Sequence, residues 1–381
     1  MEALELLEII NRGEDSKHQF KANVTNGTSL AREMVAFSNA GGGELFIGVA
    51  DDGKVTGLTR QEIGRLNQLV SNAASQQVEP PINPRTENIS VPEGLVMCVT
   101  IPAGVSRPYM DKNGVIWVKS GADKRKATAR EEMLRLFQSA GSVHGDEVPT
   151  QGLNISDLDL DYFKKFLQEN FPDNPGLPLP ALLENMNLMK DGVFNISGAL
   201  LFAANPSRRL PVFIVKAIAF PGETIHETDY LDSRDITGKI ADIFHQSLGF
   251  VLGNIRRVQG DQGVNAPGAP EIPRIALEEL IVNALIHRDY FVSAPVKLFV
   301  FSDRVEIISP GHLPNNLTVE NIKRGNSNIR NPILASYATR LLPYRGIGSG
   351  VIRALRTYPA IDFEDDRAGN RFIVTIRRKN D

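Results

Sequence analysis

A single cysteine in 381 residues excludes a disulfide within the chain, and with it the cystine-stapled scaffolds of small secreted domains. That residue, Cys98, lies inside LVMCVTI, an apolar stretch that reads as a buried strand, so it is expected in the core rather than as a nucleophile. The six histidines are scattered, and no Cys/His ligand spacing appears, which argues against a structural zinc site. No run approaches the roughly 18 apolar residues that a membrane span requires. The opening stretch MEALELLEII is acidic and helical, without the basic-then-apolar order of an export signal. A cytoplasmic protein with no membrane partner is the expectation. There is no excess of positive charge either: at a net −3, any nucleic-acid binding must rest on a local basic patch.

What is present is length and alternation. A chain of 381 residues exceeds one ordinary domain. Two stretches rich in Gly, Pro, Ser and polar residues, SAGSVHGDEVPTQG (139–152) and VQGDQGVNAPGAPEIP (258–273), read as linkers. They predict three blocks: 1–140, 153–260 and 271–381. The first block mixes a helix ending in three glycines, strands such as ELFIGV and GVIWVKSG, and a closing helix in ATAREEMLRLFQSAG. The middle block offers helices in LDYFKKFLQENF and LPALLENMNLM, and apolar strands in ALLFAA and VFIVKAIAF. The last has a helix in RIALEELIVNALIHRDYF, the hairpin VKLFVFSDRVEIISPG and a final strand RFIVTIRR. The fold class predicted is α+β, multidomain, with much antiparallel pairing.

The helix predicted over 274–291 is apolar on almost every side, and three polar residues break it: Glu279, Asn283 and His287. Residues four apart share one face, so the three form a stripe. A stripe can be a solvated face, but apolar flanks favour the lining of a pocket. A carboxylate one turn from an amide suits magnesium–nucleotide chemistry, the amide as a hard-cation ligand and the carboxylate as water-activating base. In YRGIGSGVIRAL, Gly346, Gly348 and Gly350 precede another helix, which is either a plain helix-entry turn or a backbone cradle for phosphate.

These motifs in order, EELIVNALIHRDY, DRVEIISPGHLP, IRNP and RGIGSG, resemble the ATP-binding domain found with RecG-type helicases, a divergent branch of the GHKL (Bergerat-fold) ATPases. The resemblance implies a Bergerat α/β sandwich over 271–381, with ATP and Mg2+ as cofactors. It makes Glu279 the base, Asn283 the magnesium ligand, and Ser309 and Gly311 the floor beneath adenine. His287 faces the same site, and Gly346, Gly348 and Gly350 belong to the phosphate lid. The adenine-reading aspartate of the superfamily's DxGxG turn is replaced here, the turn reading SPGHL. The triplet His287-Arg288-Asp289 matches a kinase motif, but no DFG accompanies it, and a structural role is expected for Arg288 and Asp289.

At the other end, GEDSKHQFKANV and AFSNAGGGELFIGVADDGKVTGL, followed by VIWVKSGADKRKAT, resemble the Schlafen/AlbA-type domain, a mixed α/β nucleic-acid-binding module. In Schlafen ribonucleases an acidic trio holds a divalent metal. The matching positions are Glu14, position 19, which is Gln19 rather than Glu, and the region of Asp51, with Asp15 adjacent. A neutral amide lowers the charge available to a metal, and the DDG around Asp51 also reads as a hairpin turn. Lys17 and Lys21 share a face, and KSGADKRKATAR clusters Lys119, Lys124, Arg125 and Lys126, which suits phosphate contact without base readout. The favoured expectation is an ATP-binding, ATP-hydrolysing regulatory or anti-phage protein that binds DNA or RNA without sequence specificity and forms homo-oligomers. The alternatives are a Schlafen-type metal-dependent RNA endonuclease regulated by ATP, and a transcriptional regulator whose GHKL-like part is a non-hydrolysing scaffold.

Overall fold

The computed structural model describes residues 1–172, 176–225, 229–259, 268–314 and 317–378. They gather into two compact units, Met1–Val143 and His144–Asp381. In the first, α1 (Ala3–Arg12), β1 (His18–Lys21), α2 (Gly27–Asn39), β2 (Gly43–Ile47) and α3 (Arg60–Gln76) lead to β3 (Arg85–Val91) and β4 (Gly94–Ile101). A hairpin, β5 (Trp117–Ser120) and β6 (Asp123–Lys126), and α4 (Arg130–Ser139) complete it. The sheet runs β1-β2-β4-β3, with β1 and β2 parallel and the other pairs antiparallel.

Alternation along β2 assigns its two faces: Leu45 and Ile47 join the core beneath α2 and α3, while Phe46 points to the core beneath α1. Helix α2 starts where the Asn26 side chain accepts the amides of Thr28 and Ser29, at 2.9 and 3.3 Å. Cys98, on β4, is buried, and that burial pushes its thiol up to about 12. It is a protonated core residue, as its apolar flanks suggest.

The second unit carries α5 (Leu160–Asn170), α6 (Leu179–Asn185), α7 (Ile196–Phe202), β7 (Val215–Ala219), β8 (Asp232–Ile236) and α8 (Ile240–Asn254). It continues through α9 (Arg274–His287), β9 (Val296–Val300), β10 (Arg304–Pro310), α10 (Val319–Lys323) and α11 (Pro332–Leu341). It ends with α12 (Gly350–Thr357), β11 (Ile361–Asp366) and β12 (Arg371–Arg377). Six strands form one sheet, β8-β7-β9-β10-β12-β11, in which β7 and β9 are parallel and the rest antiparallel. Strands on both sides of the boundary expected near residue 260 therefore share a sheet and a single apolar core. Of the linker expected over 258–273, residues 260–267 lie outside the described residues.

One expectation fails here. ALLFAA, read as a strand, falls mostly within the helix α7, all of whose residues are buried. Periodicity cannot separate strand from helix when every side is apolar. The deciding interaction is local: Asn195 caps α7, its side chain accepting the Gly198 amide at 2.7 Å. At the end of α7, Phe202 touches four rings, Tyr162, Phe163, Phe166 and Tyr337, at centroid distances of 5.0–6.1 Å. Phe202→Ala should cost about 3–5 kcal/mol in denaturant unfolding. A cost under about 1 kcal/mol would show that this cluster does not close the core.

Helix α9 is apolar on most sides because most of it is enclosed: it packs against α8, α12 and β10, with Arg274 and Ile275 exposed at its start. Side chains satisfy its C-terminal carbonyls: Asn331 Nδ2 donates 2.8 Å bonds to the oxygens of Ile286 and Arg288, and the Tyr290 hydroxyl donates to the Leu285 oxygen at 3.0 Å. This clamp fixes the end of the helix that carries the polar stripe.

Candidate functional site

Between α9 and the glycine turn ahead of α12 lies a cleft of about 1050 Å³, its solvent-open mouth included. Glu279, Asn283 and His287 all line it, so the stripe faces a pocket. At the α-helical rise they are spread over roughly 12 Å, Glu279 at one end and His287 at the other. The SPG turn lies near the His287 end, where the Ser309 hydroxyl donates to the Ala284 carbonyl at 3.0 Å. Ser309 and Gly311 both line the cleft. Gly311 has φ +95°, and a side chain there would meet Asp289 and the Arg330 guanidinium, whose Nη1 would be 2.7 Å away.

His287 bonds the Tyr344 hydroxyl through Nε2 at 3.0 Å. Burial, with Arg330 nearby, pushes its imidazole down to about 4, so the ring is neutral at physiological pH. Arg288 and Asp289 are structural, as expected. The Arg288 guanidinium donates to the carbonyls of Val292 and Ala294 and lies over the Phe213 and Tyr290 rings. The Asp289 carboxylate accepts the Phe291 amide at 2.9 Å.

At the opposite end Glu279 is 5% exposed, and burial raises its carboxyl above the ordinary value despite two opposing arginines, Arg353 and Arg345. It is ion-paired with Arg353 of α12. Gly350, the first residue of α12, comes so close that a Cβ on it would stand 2.5 Å from Glu279 Oε2 and 3.3 Å from Asn283 Nδ2. Arg345, Ser349 and Arg353 line the cleft, and sequence reasoning missed all three. The only hint was the string YRGIGSGVIR itself, since the partner of Arg353 lies 74 residues away.

The first unit does not assemble the acidic trio. The Glu14 carboxylate accepts the Phe20 amide at 2.7 Å, Asp15 accepts the amides of Lys17 and His18, and Asp51 pairs with Lys21 at 3.3 Å. Gln19 is buried and accepts from Lys119 at 3.0 Å. Among the described residues no three of His, Cys, Asp and Glu gather as a metal site. The basic run is less free than its composition suggests. Lys119 is half-buried over the Phe37 ring, Lys124 is ion-paired with the buried Glu33, and Arg125 makes two bonds to Glu132, at 2.8 and 2.6 Å. Lys17 and Lys126 are exposed, the latter beside the Trp117 ring. Among the described residues, no helix is long and apolar enough to cross a membrane.

Residues 14–128 match the family "Schlafen, AlbA_2", and residues 293–376 match the family "Putative ATP-dependent DNA helicase recG C-terminal". The chain is thus a mixed α/β protein with a Schlafen/AlbA-type segment ahead of a HATPase-type one. Helix α9, with Glu279 and Asn283, precedes the second matched segment. Among solved structures, the DIP2311 protein from Corynebacterium diphtheriae is 22% identical, covering 99% of this chain and 80% of that one, with a TM-score of 0.48. The N-terminal domain of a "Putative ATP-dependent DNA Helicase RecG-related Protein" from Nitrosomonas europaea is 17% identical. That match covers 34% of this chain and 96% of that one, with a TM-score of 0.26. No curated protein matches.

Proposed function

We propose that the second unit binds ATP with Mg2+ and hydrolyses it, and that its nucleotide state governs how the first unit holds DNA or RNA. The observation that carries this reading is the cleft itself. One pocket holds a buried carboxylate, an amide one turn away and a glycine turn at the head of a helix. The adenine lies toward Ser309 and Gly311, and the phosphates run toward Glu279 and α12. Glu279 accepts a proton from the water that attacks the terminal phosphorus; the bond from that phosphorus to the bridging oxygen breaks, and ADP leaves.

The donor set fits magnesium in one respect: Asn283 offers a single amide oxygen, and Mg2+ is ordinarily held by few protein groups together with substrate phosphates and water. When bound, the ion supplies neutralisation of phosphate charge. Closure of the glycine turn over the phosphates reshapes the surface around the cleft. That offers a route to altered association between copies or altered grip on nucleic acid, as a transcriptional or anti-phage switch would need. In the first unit, the exposed Lys17 and Lys126 are the cations placed to meet phosphates, with Lys21 and Arg125 available on exchange of their carboxylate partners.

The test is calorimetric titration of ATP with magnesium into the parent and into Asn283→Ala, followed by titration of labelled single-stranded RNA and DNA at two salt concentrations, with and without ATP. We expect ATP binding that the substitution weakens at least about tenfold, the loss of one ligand and one hydrogen bond to a charged group. Salt-sensitive nucleic-acid binding that shifts with ATP is the second expected result. A well-folded parent that binds no ATP removes the proposal.

A further inference from the structure

The Glu279 carboxylate occupies a place built for a larger anion. Three observations meet there. First, the Arg353 fork is shared between one carboxylate and one hydroxyl: Nη1 pairs with Glu279, and Nη2 lies 3.2 Å from Ser349 Oγ. Second, the carboxylate lies at the N-terminus of α12, against Gly350, and α12 has no acidic residue of its own in its first turn. A helix N-terminus favours negative charge, and here the charge is lent by another helix. Third, Arg345 adds a second cation lining the same end of the cleft. Two arginines, a serine hydroxyl and a helix terminus around one position are a donor set for a tetrahedral oxyanion rather than a planar carboxylate.

We infer that Arg353 recognises the terminal phosphate of a nucleoside triphosphate and that Glu279 holds this position until the phosphate displaces it. The inference rests on the nucleotide-site reading above and adds to it the residue that distinguishes triphosphate from diphosphate. A terminal phosphate carries more charge and more acceptor oxygens than Glu279, so it is the stronger partner for the guanidinium. A diphosphate ends one phosphoryl group short and leaves the Glu279–Arg353 pair in place. Displacement then frees Glu279 only when there is a terminal phosphate to attack, which ties release of the base to arrival of its substrate.

The experiment is calorimetric titration of ADP and of a non-hydrolysable ATP analogue, each with magnesium, into the parent, Arg353→Ala and Arg353→Lys. The parent should favour the triphosphate by about 10- to 100-fold, the worth of charge-assisted hydrogen bonds. Arg353→Ala should bring that ratio close to one while ADP affinity stays within about threefold, a change too small for a lost direct contact. Arg353→Lys, with a point charge in place of a fork, should recover part of the ratio. ADP binding by the variant shows that the pocket is folded; if Arg353→Ala binds neither nucleotide, the ratio measured on Arg353→Lys decides. A parent ratio of one, or a parent ratio retained in the variants, overturns the inference while leaving the nucleotide site intact. A parent that binds neither nucleotide removes both.

Discussion

Glu279→Ala should lower ATP turnover by about 10²- to 10⁴-fold, the span expected when a positioned general base is lost, while ATP still binds. The cleft provides no substitute. Among the described residues lining it, Glu279 is the only carboxylate. Two imidazoles also line it: His312 follows the SPG turn and holds the Leu313 carbonyl through Nδ1 at 2.7 Å, and His287 stands roughly 12 Å along the helix, toward Ser309 and Gly311. The His287 imidazole, pushed down to about 4 and bonded to Tyr344, is a poor acceptor there. Binding should survive because the substitution also removes the group that competes for Arg353. ATP affinity is therefore expected to stay level or rise in Glu279→Ala, and Glu279→Gln, which keeps the volume and one acceptor, should lose turnover similarly.

The pH dependence has a defined sign. A base works deprotonated, and burial raises the Glu279 carboxyl above its ordinary 4.5. Turnover should thus fall on acidification at a pH above that value, and this limb should vanish from the residual activity of the alanine variant. Steady-state phosphate release measured from about pH 4 to about pH 9 on both proteins reads out each expectation. Unchanged turnover in Glu279→Ala would leave the domain as a non-hydrolysing scaffold, with nucleotide binding as its whole output.

The polar stripe was legible in the sequence because four-residue spacing on an apolar helix needs only the geometry of one element. What was not legible lay across elements. Arg353 reads as an ordinary polar residue of a short amphipathic helix; only the packing of α12 on α9 turns it onto Glu279. The basic run of the first unit shows the same limit in reverse. Its cations looked free because their partners, Gln19 for Lys119 and Glu33 for Lys124, lie 100 and 91 residues away. The missed helix α7 was a local ambiguity, since an apolar run buried on all sides carries no period. Its cap, Asn195 followed three residues later by the Gly198 amide, was the available signal.

Gly348→Val should weaken ATP binding by about 10- to 100-fold, well beyond the loss in Gly346→Ala, because the three glycines of RGIGSG answer to different constraints. Gly346 needs its conformation only: φ is +70°, yet a Cβ placed on it would have nothing nearer than 3.6 Å. Alanine there should cost about 1 kcal/mol. Gly350 needs space, its backbone pressed against Glu279 and Asn283. Gly348 needs both. Its φ is +73°, and a Cβ would run into the Gly325 carbonyl and stand 3.2 Å from Ser327 Oγ, on the loop that forms the far lip of the cleft. A β-branched residue bears the left-handed cost and collides with backbone, which cannot rotate away as a side-chain tip can. The turn must then shift relative to the 325–327 loop and carry the α12 terminus with it, spoiling the approach of amides and Arg353 to phosphate. Titration of the ATP analogue into Gly346→Ala and Gly348→Val separates conformation from contact: a large loss in the second and a small one in the first is the expected pattern. Equal, parent-like affinities would mean that the lip contact between Gly348 and Gly325 has no part in holding nucleotide.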